Sequence, residues 1–130
     1  MDISNMKNGQ KAGLCHFSGS HSAIGVAMED DVIHIEFRHN DRIERGPTLP
    51  RKPGHVYARA GIGKDFGTGF YLWFRSTWGL DGESHYSYSL DGESFKPFGR
   101  PYRLEWGNYR GDRIGIYTFN DDADAAHPFR

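Results

Sequence analysis

The chain has 130 residues, a length that suits one domain whose single hydrophobic core folds without a metal or a disulfide. Its 16 basic and 17 acidic residues give a formal charge of -1 and form no long run of one sign, which argues against nucleic acid and membrane surfaces as partners. Cys15 is the only cysteine, so an internal disulfide is excluded.

The beginning of the chain, MDISNMKNGQK, lacks the apolar core of a signal peptide, and no apolar stretch approaches the roughly 18 residues of a membrane span. We therefore expect a soluble domain without a signal peptide in this chain, and its location stays open. The 17 glycines and 15% aromatic residues are typical of short strands joined by many turns.

Apolar and polar residues alternate with a period of two in many places, and no long stretch keeps an apolar stripe at helical spacing. The sequence therefore predicts an all-β protein with strands at 12–18, 22–28, 31–39, 55–62, 69–77, 84–90, 101–106 and 112–119. In the third strand the alternation sends Ile33 and Phe37 to one face and His34, Glu36 and Arg38 to the other. We expect the first of these faces to be buried and the second to be solvated.

Turn-forming residues separate these strands. They occur at 18–21, 46–47, 51–54 and 110–112, and the sequence Leu-Asp-Gly-Glu-Ser occurs twice, at 80–84 and 90–94. Because Asp-Gly supplies the positive backbone angles of tight hairpins, each copy is interpreted as a turn, with one strand between them. Short strands with such turns predict an antiparallel two-sheet β-sandwich over residues 1–130, as a single domain.

Three motifs occur in order along the chain: Gly-Gln-Lys-Ala-Gly-Leu at 9–14, Tyr-Ser-Leu-Asp-Gly-Glu-Ser-Phe at 88–95, and Tyr-Arg-Gly-Asp-Arg-Ile-Gly-Ile-Tyr at 109–117. Together they resemble the C-terminal concanavalin A-like accessory domain of family 43 glycoside hydrolases, the β-xylosidases and α-L-arabinofuranosidases. The resemblance implies a jelly-roll β-sandwich attached to a catalytic glycosidase domain. It also implies a noncatalytic role on plant cell-wall polysaccharide, namely xylan or arabinoxylan.

The chain departs from that family at both ends. The accessory domain of the family is longer on its N-terminal side and closes with a strand of the type G-Y-V-D-F-D-x-F, whereas this chain passes from NDDADAA directly to HPFR. A sandwich without these parts has unpaired sheet edges, which invite pairing with another chain. We therefore expect a homodimer through the sheet edges, or a rearranged fold.

Aromatic rings and arginines share one predicted strand face, the arrangement that binds sugars by stacking and by hydrogen bonds. Because Leu72 and Phe74 take the opposite face, the candidate ligand-binding residues are Tyr71, Trp73 and Arg75, with Trp78, Tyr57 and Arg59 beside them. The alternative is that Tyr71 and Trp73 pack into a second core between sheets.

A small self-sufficient xylanase or β-xylosidase is the main alternative, and a structural interaction module is a third hypothesis. An enzyme of this kind needs two carboxyl groups about 5 to 9.5 Å apart. Glu36 and Glu83 are the catalytic candidates for that hypothesis.

No cofactor and no zinc site are predicted. Calcium binds through oxygen ligands, so the acidic stretch Asp121, Asp122 and Asp124 offers calcium candidates, although a solvated loop is the preferred interpretation. Cys15 is predicted to be a small core residue.

Overall fold

A computed structural model describes residues 1–49, 71–105 and 112–120. These ranges contain nine strands and no helix: β1 (Gln10–Phe17), β2 (His21–Glu29), β3 (Val32–His39), β4 (Arg42–Leu49), β5 (Trp73–Trp78), β6 (Glu83–Ser89), β7 (Lys96–Pro97), β8 (Tyr102–Arg103) and β9 (Arg113–Asn120). The predicted strand at 55–62 and the predicted turn at 51–54 lie outside the described residues. No helix in the described ranges is long and apolar enough to span a membrane.

Five strands form the first sheet in the order β4-β3-β2-β1-β9, with antiparallel pairing throughout. Alternation sends Ile24 and Val26 of β2 and Ile35 of β3 to the inner face, where all three are completely buried. Full burial of each such side chain stabilises the fold by about 1.5–3 kcal/mol. This apolar face is therefore the floor of the core.

The second sheet covers that apolar face. In it β6 pairs with β5 on one side and with the short strands β7 and β8 on the other. Tyr86 and Tyr88 of β6, and Leu72 just before β5, belong to the same core cluster as the isoleucines. Because Tyr86 is buried, its hydroxyl needs a partner, and it lies 2.7 Å from the hydroxyl of Ser22 on the first sheet. The prediction of an antiparallel two-sheet β-sandwich is confirmed.

Both Asp-Gly pairs form turns, as predicted. Gly82 and Gly92 have φ angles of 72° and 79°, in the left-handed region that glycine adopts without strain. In the second turn the carboxylate of Asp91 accepts the backbone N–H groups of Glu93 and Ser94, each at 2.8 Å. These hydrogen bonds stabilise the charged form and hold the pKa of Asp91 below its usual value.

The turn predicted at Gly46 and Pro47 is wrong, because both residues lie inside β4. In the described structure β4 is at the edge of its sheet, where the missing N–H group of a proline costs no hydrogen bond between strands. The pairing of β4 with β3 also shifts by one residue between His34 and Glu36. The bulge and the edge position together accommodate turn-forming residues within a strand.

The solvated face predicted for β3 is wrong at two of its three residues. His34 is 5% exposed and Glu36 is 3% exposed. They lie opposite Ala27 and Gly25 of β2, whose small size lets longer side chains from neighbouring strands fold over the sheet. Lys11 is one of these, since its ammonium reaches within 3.5 Å of the Glu36 carboxylate.

Candidate functional site

Two predicted sugar-binding residues, Trp73 and Arg75, lie on the outer face of β5, and Tyr71 precedes this strand at an isolated bridge to Asp2. We call Tyr71, Trp73 and Arg75 together the β5 face. Trp73 and Tyr71 are half-buried and Arg75 is exposed, while Leu72 is buried on the opposite side. The Arg75 guanidinium stands 3.6 Å above the ring of Phe95, which holds it in a fixed orientation. Ser89 and Ser87 of β6 pair with Trp73 and Arg75.

Trp78 does not join the β5 face. It is an odd number of residues from Trp73 along one strand, so its side chain leaves the other face of the sheet. Its ring makes an edge contact with His16 of the first sheet, at 5.5 Å between centroids, and is 54% exposed. Tyr57 and Arg59 lie outside the described residues.

Glu36 and Glu83 are not brought together. Glu36 points away from the core on the first sheet, because its neighbours Ile35 and Phe37 point inward. Glu83 likewise points outward from the second sheet, since the adjacent Ser84 is the residue that is buried. The two carboxylates therefore lie on opposite sides of the sandwich and not across one groove.

Asp121, Asp122 and Asp124 lie outside the described residues, so calcium binding there stays a prediction. Elsewhere, a different group of possible metal ligands forms at the β5–β6 turn. One ligand atom from each of Asp81, Glu83 and His85 lies within 4.8 Å of the others. Asp81 and His85 are exposed, and this group by itself assigns no metal site.

A cavity of about 360 Å³ opens on the outer face of the first sheet, and we call it the outer-face cavity. It is lined by three aromatic rings, an arginine, a thiol and a small residue: Phe17, Tyr117, Phe119, Arg38, Cys15 and Ala23. The loop at 18–20 and His21 complete the wall. Arg38, Ala23 and Cys15 are consecutive partners across β3, β2 and β1, so the cavity follows one row of the sheet.

Small residues give the outer-face cavity its depth. Gly115 of β9 continues the row beyond Cys15, and Gly13 and Gly25 occupy the next row. The Tyr117 side chain lies over these two glycines, since a Cβ added to Gly13 would stand 2.7 Å from the Tyr117 hydroxyl. A side chain at either glycine would therefore displace the ring that forms this wall.

The two weakly acidic groups of the cavity stay neutral at ordinary pH. Burial raises the pKa of the Cys15 thiol, and burial together with the nearby Glu36 carboxylate raises the pKa of the Tyr117 phenol. Cys15 is half-buried on the outer face, so its prediction as a core residue is wrong. Leu14 and Cys15 alternate, and Leu14 is the one that packs against the core.

The outer-face cavity was not predicted from the sequence, although the alternation of residues on β9 indicated part of its wall. On β9, alternation groups Tyr117 with Phe119 and separates them from the isoleucines. The signal was incomplete because β9 pairs with β1, at the other end of the chain, and periodicity within a strand does not reveal its partner.

A buried polar network connects the two sheets beside Trp78. His16 is 3% exposed, and its Nδ1 lies 2.7 Å from a carboxylate oxygen of Asp112 while its Nε2 lies 2.7 Å from the hydroxyl of Ser76. The Ser76 hydroxyl is also 2.6 Å from that of Ser84. Each buried polar atom in this chain of contacts therefore has a partner, which is the condition for burying it without a large penalty.

His34 should make the stability of the fold depend on pH under acidic conditions. Burial and the positive charge of Arg45 lower the pKa of His34 below its ordinary value of about 6.5. The unfolded chain then binds a proton at a higher pH than the folded chain, so stability should fall as the pH drops from about 6.5 through the lower pKa of the folded state.

We expect His34→Gln to flatten this loss of stability between about pH 7 and pH 5, as measured by urea unfolding at several pH values. His85→Gln is the matched control, because His85 is exposed. An equally steep loss in the His34→Gln protein would contradict the assignment.

Comparison with known proteins agrees with the motifs. The chain is 28% identical over 128 residues to a "Beta-xylosidase" of Formosa agariphila, and the match covers 97% of this chain and 18% of that protein. The chain therefore spans about a fifth of the length of this curated relative. No family model matches it.

Two solved structures share the fold with a TM-score of 0.67, each over 92% of this chain. One is described as "Bifunctional GH43-CE Bacteroides eggerthii"; it is 20% identical, and the match covers 14% of its chain. The other belongs to a study of a GH43 glycoside hydrolase engineered to display endo-xylanase and exo-arabinofuranosidase activity; it is 18% identical and is covered to 25%. The chain thus resembles part of a β-xylosidase in sequence and has the β-sandwich fold of a part of family 43 glycoside hydrolases, as the motifs indicated.

Proposed function

We propose that this chain is a noncatalytic accessory domain that binds xylan-like polysaccharide and works beside a catalytic glycosidase domain. The observation that carries the proposal is the match of nearly the whole chain to 18% of a β-xylosidase. A segment of that size in a longer enzyme is a natural candidate for an accessory role. The catalytic candidates Glu36 and Glu83 support the same view, since they point away from each other.

The β5 face supplies a binding surface for this role. Trp73 at the start of β5 and Tyr71, two residues before it, offer half-exposed rings, and neighbouring rings suit stacking along an extended chain of sugars. The Arg75 guanidinium is oriented by Phe95, and the half-buried Ser87 of β6 is its cross-strand partner. Stacking on the rings and hydrogen bonds to the sugar hydroxyls would act together.

We expect Trp73→Ala to weaken retention on insoluble xylan by roughly five- to tenfold, the effect of losing about 1–1.5 kcal/mol of ring contact. The measurement is a pull-down with insoluble xylan, with the fraction bound read as a function of xylan concentration. Leu80→Ala is the control, because Leu80 is a fully exposed apolar residue of the neighbouring turn and lies outside the β5 face.

Unchanged retention of a folded Trp73→Ala protein would remove the β5 face from the proposal. Absence of retention in the unmodified protein would remove polysaccharide binding itself. Pairing of two copies through described sheet edges, such as β4 and β9 of the first sheet, stays a separate prediction that sedimentation at several protein concentrations would test.

A further inference from the structure

The outer-face cavity differs from the β5 face in shape. It is a recess on the opposite sheet, and its volume of about 360 Å³ is at the lower end of the range for small-ligand pockets, roughly 300–1,000 Å³. That volume suits one or two sugar rings better than a long chain. Its floor of small side chains allows a ring to sit close to the sheet.

The charge of the cavity comes from arginine. Within the described ranges, Arg38 lines the cavity and no carboxylate does. None of the described ion pairs contains Arg38. Cys15 and Tyr117 add no negative charge, because burial raises the pKa of each. Two carboxylates act on the cavity from outside its lining: Glu36, which is ion-paired with Lys11, acts on the Tyr117 phenol, and Asp112 acts on the Cys15 thiol. The attraction for an anion therefore comes from the Arg38 guanidinium itself, which is the cationic group that lines the cavity.

Aromatic rings place this arginine and shape the walls. The Arg38 guanidinium lies 5.5 Å from the centre of the Phe119 ring, and Phe119 in turn packs against Tyr117 at 5.7 Å. On the opposite wall Arg113 lies 5.9 Å from the centre of the Phe17 ring. An arginine held against a ring keeps its planar fork of donors in place, and that fork matches a carboxylate or a sulfate group.

We propose that the outer-face cavity binds an anionic sugar unit of a polysaccharide, with the carboxylate or sulfate ester of the sugar held by Arg38 and its C–H face against the aromatic wall. The inference rests on the proposed polysaccharide-binding function and adds a second, charge-selective site to it.

Calorimetric titration of the full chain compares three probes: xylotetraose, the same oligosaccharide carrying one glucuronic acid, and the same oligosaccharide carrying one sulfate ester. At low ionic strength, at least one acidic probe should bind roughly ten- to a hundredfold more tightly than xylotetraose, the effect of one hydrogen-bonded charge. Salt should reduce this difference, since the cavity is open to solvent. The preferred acidic probe identifies whether the natural anion is a carboxylate or a sulfate.

Arg38→Met should remove the preference for the acidic probe, while Arg42→Met, which removes the same charge at an exposed position of β4, should keep it. Cys15 gives a second readout that needs no substitution. Bound acidic probe should slow alkylation of this single cysteine, and protein already modified with N-ethylmaleimide should lose the acidic preference.

Equal binding of acidic and neutral probes, or an acidic preference that survives both Arg38→Met and alkylation of Cys15, would overturn the inference. Retention on insoluble xylan through the β5 face is measured separately, so either of these results leaves the proposed function standing. Absence of xylan retention in the unmodified protein, with a persisting, Arg38-dependent acidic preference, would instead remove xylan binding through the β5 face and keep this site.

Discussion

Gly13→Ala should destabilise the protein by about 3 kcal/mol, the upper end of the usual range for overpacking. A Cβ at this position would stand 2.6 Å from the Cα of Gly25 and would also meet the carbonyl oxygen of Ile24. Both atoms belong to the backbone of β2, so no side-chain rotation can relieve the clash. The central strands β1 and β2 would have to separate, and Tyr117 would have to leave its place over the two glycines.

Urea unfolding followed by tryptophan fluorescence measures this effect, with Gly19→Ala as the matched control. A Cβ at Gly19 would meet no atom within 4 Å, so that variant should unfold at nearly the urea concentration of the unmodified protein. Equal stability of the Gly13→Ala and Gly19→Ala proteins would show that β1 and β2 are not packed as closely as described.

Asp112→Ala should destabilise the protein by about 2 kcal/mol, because it leaves a buried donor without its charged acceptor. A carboxylate can only accept, so the Nδ1 of His16 donates to Asp112 across a 2.7 Å contact, and His16 is 3% exposed. A water molecule in the vacated space is a weaker acceptor than a carboxylate, so part of the hydrogen-bond energy is lost.

The same unfolding measurement tests the network, with Asp41→Ala as its control, since Asp41 lies in the exposed turn between β3 and β4. Asp112→Asn should recover part of the loss, because an amide oxygen can accept the same hydrogen bond without the charge. If all three variants unfold at one urea concentration, His16 does not depend on Asp112 for its burial.

Local sequence pattern predicted much of this fold. The apolar run of β2, the alternation in β3 and β6 and the two Asp-Gly turns each depend on a few consecutive residues, so local pattern and turn chemistry were enough to locate them. The strand β4 was missed because Gly46 and Pro47 are typical of turns. Its edge position and bulge, which make them acceptable, are properties of the sheet and not of the segment.

The candidate sites divide in the same way. Alternation alone placed Trp73 and Arg75 on one face of β5, because both residues belong to one strand. Alternation placed Trp78 on the opposite face from Trp73 and Arg75 only when the structure showed that β5 continues without interruption to Trp78. Burial of Glu36 was missed because it depends on Gly25 in the neighbouring strand and on Lys11 one strand further away.

The sequence by itself determined the all-β class, the turns, the resemblance to a family 43 accessory domain and the residues that share each strand face, because these follow from short-range geometry and motif order. Only the tertiary structure decided that β9 lies beside β1, which brings Tyr117 and Phe119 to the wall of a cavity whose other side holds Arg38. The physical reason is that strand partners and their register are selected by packing between distant segments, and the period within each strand carries no information about that choice.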